Sequence, residues 1–213
     1  MRAFSSIVAA LAATAGLLAL QPLLQADRVG QRCIAAEIAS AAGRRDACNA
    51  VLARHLLPED RARALLYRGA ATLNLEADAE ALSDFANALE IMPSLAPARL
   101  NRSLVYLRRQ DYEAALADLA VVFSAGGDLA DAYAARGYVY FRQGDLAAAA
   151  ADVAHLQTGD PDNAWAHNLS GAIHAQLGNL PKAAAEYRLA AALAPEDPGF
   201  ADDASQFDLS QTP

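Results

Sequence analysis

The chain has 213 residues, enough for one domain of moderate size, and 54% of them are hydrophobic. A net charge of −8 and a pI of about 4.9 disfavour nucleic acid and anionic membrane surfaces as partners. Alanine inflates the apolar content, with Ala147 to Ala151 consecutive. Alanine is the best helix former, so the expected fold class is all-α.

The first predicted element is a targeting segment, residues 1–26. Met1 and Arg2 give a short positive start. Phe4 to Leu20 is a 17-residue apolar and small stretch, interrupted only by Ser5, Ser6 and Thr14. Gln21 and Pro22 break it, and Ala26 is suited to cleavage. The pattern reads as a secretory signal peptide. An uncleaved anchor is the alternative, since 17 residues lie at the short limit for crossing a bilayer. Either way the remainder is expected outside the cytoplasm, in the periplasm or secreted. The 16 arginines against the single Lys182 suggest a bacterial chain.

Residues 27–61 read as a degenerate helical hairpin turning near Gly43, Arg44 and Arg45. It carries both cysteines, Cys33 and Cys48. An even pair in an exported chain reads as a disulfide, with two buried free thiols as the alternative. With that turn, two regular helices would hold the sulfurs out of register. The first helix is therefore expected to start late or to be irregular near Gly30.

From residue 62 the chain repeats itself every 34 residues, in units 62–95, 96–129, 130–163 and 164–197. Gly69, Ser103, Gly137 and Gly171 occupy one equivalent place. Ala81, Ala115, Ala149 and Ala183 occupy a second, and Phe85, Leu119, Val153 and Tyr187 a third. Pro93, Gly127, Pro161 and Pro195 close the units. In the first unit the spacing predicts helix A from Ala62 to Leu75, a turn at Glu76 to Asp78, and helix B from Ala79 to Ile91. The small residues allow two backbones to approach, and the bulky ones fill the wedge beside them. A fixed period without insertions means one motif stacked on copies of itself.

A further pattern shares the period. Arg68, Arg102 and Arg136 precede the small residue of helix A, and Asp84, Asp118 and Asp152 precede the bulky residue of helix B. Each pair lies about equally far from its turn, which predicts three partly buried ion pairs within the hairpins. In the fourth unit the same places hold Ser170 and Glu186.

The period and its small, aromatic and proline positions resemble the tetratricopeptide repeat family. Exported bacterial members with a cysteine pair ahead of the first repeat look similar. The resemblance implies an α-solenoid, a right-handed superhelix of antiparallel helix pairs, with four clear repeats after the degenerate hairpin. It implies a concave face lined by helix A residues: Arg63, Leu66, Ala70 and Leu73 in the first repeat, and their equivalents after it. The Lys/Asn/Arg set that clamps a C-terminal carboxylate in chaperone-binding relatives is missing. The expected partner-binding groove is Leu100, Leu104, Leu107, Tyr138, Phe141 and Trp165, with Arg108 and Arg142 at its edge. The alternative is that several of these pack between neighbouring A helices.

Residues 198–213 read as an acidic tail, disordered from about Asp202. That would leave the last helix B poorly covered. No set of residues in the sequence assembles a catalytic, cofactor or metal site. His167 and His174 share a helix face at a spacing wider than the step of a zinc helix, and read as structural or surface residues.

These readings predict a non-enzymatic interaction scaffold or assembly factor of the bacterial envelope, without cofactor or metal, that binds a protein or peptide segment in its groove. The alternative is a structural subunit that self-associates through an uncapped last repeat or the groove. Membrane contact is expected only if the leading segment stays attached.

Overall fold

The computed structural model describes residues 32–33, 40–126 and 129–207. The apolar leading segment lies outside them. All regular elements among the described residues are helices: α1 Ala41–Leu52, α2 Pro58–Leu73, α3 Asp78–Ile91, α4 Ala96–Arg108, α5 Tyr112–Ser124, α6 Ala130–Gln143, α7 Leu146–Gly159, α8 Ala164–Gln176, α9 Leu180–Leu193 and α10 Pro198–Gln206. The chain divides into two compact units, one ending at Asp131 and the other beginning at Ala132. In the N-terminal unit α1 packs on α2, α2 on α3, α3 on α4 and α4 on α5. In the C-terminal unit α7 packs on α8, α8 on α9 and α9 on α10.

The hairpin turns show why the period is 34. Glu76, Gln110, Gly144 and Gly178 are 34 apart, and each has positive φ (58°, 61°, 82° and 73°). One to three residues past helix A's end, the left-handed residue lets the next amide reach back along the helix. Ala77 donates to the Thr72 carbonyl, Asp111 to Tyr106, Asp145 to Tyr140 and Asn179 to His174, at 2.8–3.0 Å. These bonds satisfy carbonyls that a helix end otherwise strands. Helix B then starts on a cap. Asp111 and Asp145 accept from the amides of Ala114 and Ala148.

Close approach explains the small residues. A Cβ at Gly69 would stand 2.6 Å from the Phe85 ring, and one at Gly171 would stand 2.9 Å from the Tyr187 ring. Phe85 is fully buried and Tyr187 nearly so. Neither ring can retreat without opening the core around it.

Each of the first three hairpins is also held by a two-pronged ion pair. Arg68 donates through Nε and Nη2 to Asp84 at 2.8 and 2.6 Å. Arg102 does the same to Asp118 at 2.7 and 2.7 Å, and Arg136 to Asp152 at 3.0 and 2.7 Å. Each aspartate side chain is only 5% exposed, while the arginines keep 20–29%. The hydrogen bonds to the aspartates push all three arginine pKa values up, against the opposing effect of burial. Arg99 Nη1 adds a third donor to Asp118 at 3.2 Å.

Three expectations are corrected. First, Gly43, Arg44 and Arg45 lie inside α1, because the Ser40 hydroxyl caps the Gly43 amide and starts the helix there. Second, helix A of the first repeat begins at Pro58, four residues ahead of Ala62. Proline suits the first helical position because its missing N–H would have no partner there. Third, the tail is helical to Gln206. Asp197 caps α10 by accepting from the Gly199 amide, Phe200 is 5% exposed, and Phe207 lies against Tyr187 with ring centroids 4.9 Å apart. The outward residues Ala201, Asp202, Ser205 and Gln206 are exposed, so α10 covers the array with a largely polar surface.

Removing one partner of a buried pair strands the other charge, at a cost of about 3–5 kcal/mol. Asp118→Ala strands both Arg99 and Arg102, which are only partly exposed, and should cost about 3 kcal/mol. Glu113→Ala on the same helix is a surface change worth under about 0.5 kcal/mol. Urea denaturation of the two variants should separate them clearly; equal midpoints would show that the Asp118 contacts contribute nothing.

Candidate functional site

The A helices carry the residues expected to meet a partner. Leu100, Leu104 and Leu107 are 0%, 2% and 3% exposed, and Tyr138 and Phe141 are 0% and 3%. The expectation that they form open anchors is corrected: all five are core residues. Alternate turns of an A helix meet other helices, so a large side chain at helical spacing ends up packed. Trp165 alone of the aromatic set is partly exposed.

The two edge arginines are also engaged. Arg108 Nη2 donates to the Asp78 carboxylate and Nη1 to the Leu73 carbonyl at 3.1 Å. It thus ties the second repeat to the turn of the first, and burial pulls its pKa down. Arg142 Nη1 donates to the Tyr138 hydroxyl at 2.9 Å, and its guanidinium lies 5.7 Å from the centre of that ring.

A feature without a sequence signal is the distribution of unpaired polar atoms. Among the described residues, buried side-chain atoms without a hydrogen-bond partner are Asn101 Oδ1 and Nδ2, Arg108 Nε, Trp165 Nε1, Asn168 Oδ1 and His174 Nδ1. Every one lies on α4 or α8, the A helices of the second and fourth repeats. Asn101 is fully buried with both ends of its amide unpaired. Such atoms lose their solvation without recompense, at about 1–3 kcal/mol each, so an array that keeps them has a use for them or leaves them to water.

Where repeat three has Arg136, repeat four has Ser170, and the cation comes from elsewhere. His167 Nδ1 lies 2.7 Å from Glu186 Oε2, and Nε2 lies 2.9 Å from the Pro161 carbonyl. His167 is therefore paired and buried, at 8% exposure. His174 lies elsewhere on α8, and no three His, Cys, Asp or Glu side chains converge as a metal site among the described residues.

In the N-terminal unit, Cys33 and Cys48 are free thiols, both fully buried. They touch through a hydrogen bond, which together with burial and the Cys33 charge raises the Cys48 pKa far above the ordinary thiol range. Nearby is an open polar cavity of about 630 Å³ lined by Arg45, Asp46, Asn49, Arg68, Glu80 and Asp84. The Arg68–Asp84 pair lies at its wall, with Asn49 Oδ1 accepting from Arg68 Nη1 at 2.9 Å. No described helix is long and apolar enough to cross a membrane.

Burial changes what a substitution at Tyr138 should do. Tyr138→Ala removes a fully buried ring and the acceptor of Arg142, and should cost about 3–5 kcal/mol of stability. Thermal unfolding by circular dichroism checks this; an unchanged midpoint would mean that the ring packs on nothing.

No family model and no curated protein matches the sequence. Solved structures do match the fold. A thermophilic tetratricopeptide protein of Thermus thermophilus superposes with a TM-score of 0.66 at 21% identity, over 78% of this chain and 90% of that one. MamA from residue 41 onward, of Desulfovibrio magneticus RS-1, gives 0.64 at 22% identity, over 78% and 91%. YrrB, described as a tetratricopeptide protein with an unusual peptide-binding site, gives 0.54 at 18%, over 68% and 75%. Together with the 34-residue period and the repeated turn, cap and glycine contacts, these likenesses show that the chain has the all-α tetratricopeptide-repeat fold.

Proposed function

We propose that this protein is an exported, non-enzymatic scaffold whose A helices bind a protein or peptide segment in the bacterial envelope. The observation that carries the reading is Trp165, the one aromatic of the expected groove that stays partly exposed, on an A helix of a tetratricopeptide-repeat fold. A rigid aromatic ring with an open face is the kind of anchor on which binding energy concentrates. The peptide-binding site named for YrrB supports the same class of ligand. The apolar segment from Phe4 to Leu20 supports export. The largely polar outer face of α10 speaks against self-association through the last repeat, because it offers little apolar surface to a second copy. Export would also place Cys33 and Cys48 in an oxidising compartment, where the touching thiols would pair as a disulfide.

The test separates binding from folding. Trp165→Ala should weaken capture of labelled peptides tiled from envelope proteins about tenfold, which corresponds to about 1.4 kcal/mol, while the helical circular dichroism of the chain stays unchanged. Unchanged capture by the folded variant would remove the A-helix reading. For the cysteines, mass spectrometry of the exported chain without reductant should find a two-proton loss joining Cys33 to Cys48; two alkylatable thiols would rule the bond out.

A further inference from the structure

The carboxylate of helix B meets an arginine in three repeats and a histidine in the fourth. Glu186 occupies the place of Asp84, Asp118 and Asp152, 34 residues on from the last. Its partner His167 stands one turn earlier on helix A than the arginines do, and Ser170 fills the arginine's place. An arginine keeps its charge at every physiological pH, whereas a histidine does not.

The geometry requires the charged ring. Glu186 Oε2 and the Pro161 carbonyl oxygen are both acceptors, 2.7 and 2.9 Å from the two ring nitrogens. Only the imidazolium carries a proton on each nitrogen, so only it satisfies both. Gln157 Nε2 stands 3.1 Å from Nδ1; turned over about its last bond, the same amide presents its oxygen to the protonated ring. The charged groups that face His167 are Glu186 from α9 and Asp162 from the turn before α8. The residue that reaches it from α7, Gln157, is uncharged. Pro161 belongs to the turn that joins α7 to α8, so one ring ties that turn to α9.

We propose that the fourth repeat, with the α10 helix that covers it, is a proton-sensitive joint: closed while His167 is protonated, loosened when mild alkali takes that proton to solvent. Burial pulls the His167 pKa down, but the bonds to Glu186 and Pro161 and the charges of Glu186 and Asp162 outweigh it, and the net direction is up. A folded-state pKa above the unfolded one gives stability that is complete below about 6.5, the ordinary histidine value, and is lost as pH rises through the folded value. Asp203 on α10 is buried and accepts from Asn168 Nδ2 at 2.9 Å, so α10 is tied to α8 one residue from His167.

Hydrogen exchange read by mass spectrometry tests this on the full chain. After correction for intrinsic rates, opening of α8 to α10 should rise between pH 6 and pH 8.5, about tenfold for each unit by which the folded pKa exceeds the unfolded one. The helices α2 to α5, held by arginine, should show no such rise. The double variant Ser170→Arg/Glu186→Asp restores the pair of the other repeats and should remove the pH response. Equal protection of α8 to α10 at both pH values would overturn the proposal. So would a response that persists in the double variant. Should that variant not fold, an NMR titration of His167 in the wild-type chain decides: a pKa above about 6.5 supports the joint, and one at or below it defeats the proposal.

Discussion

A buried carboxylate on helix B, answered by a cation on helix A, is the contact on which each hairpin depends. An aspartate that is 5% exposed cannot remain charged without such a partner, and the two-pronged arginine supplies charge and hydrogen bonds together. The bond fixes the height of one helix against the other. Only at that height does Phe85 lie across Gly69, or Tyr187 across Gly171. The left-handed turn residue four times repeated then sets where helix B begins. Ion pair, ring contact and turn thus specify one geometry three ways, which is the consistency expected of a sequence that folds to a single state.

Repetition makes departures from it informative. The arginine is lost once, at Ser170, and the carboxylate there turns to a histidine that is also bonded to the preceding turn. The core position held by Tyr67, Ala135 and Leu169 is held in the second repeat by Asn101, whose amide finds no partner. Neither change helps a hairpin to form. Both depart from an array whose other positions are locally consistent.

The A helices illustrate why a face is harder to read than a fold. Leucines and aromatics at helical spacing mark a surface that meets something, and spacing does not say whether that is the next helix or a ligand. In this chain the large residues Leu100, Leu104, Tyr138 and Phe141 go to the core. Thr72 and Ser103 bond to their own helix, while Asn101 is left with an unmet amide. Arg108 and Arg142, expected at the edge of the groove, are held by Asp78 and by Tyr138.

What the sequence by itself determined is local: the 34-residue unit, its two-helix plan with a turn between, and the pairing of Arg68, Arg102 and Arg136 with residues sixteen further on. All of these lie within one hairpin, so they follow from propensity, caps and distance from a shared turn. Other features needed the tertiary structure. Gly43 lies inside α1 and not in a turn, because the Ser40 hydroxyl caps its amide and starts the helix there. The tail folds as α10 because α9 gives Phe200 and Asp203 a surface, although Ser205 already continued the small-residue series 34 beyond Gly171. The choice of His167 over Ser170 as partner to Glu186, and the isolation of Asn101, depend on side-chain reach and on what neighbouring helices fill. Periodicity carries no record of either, because both are decided by packing between elements and not within them.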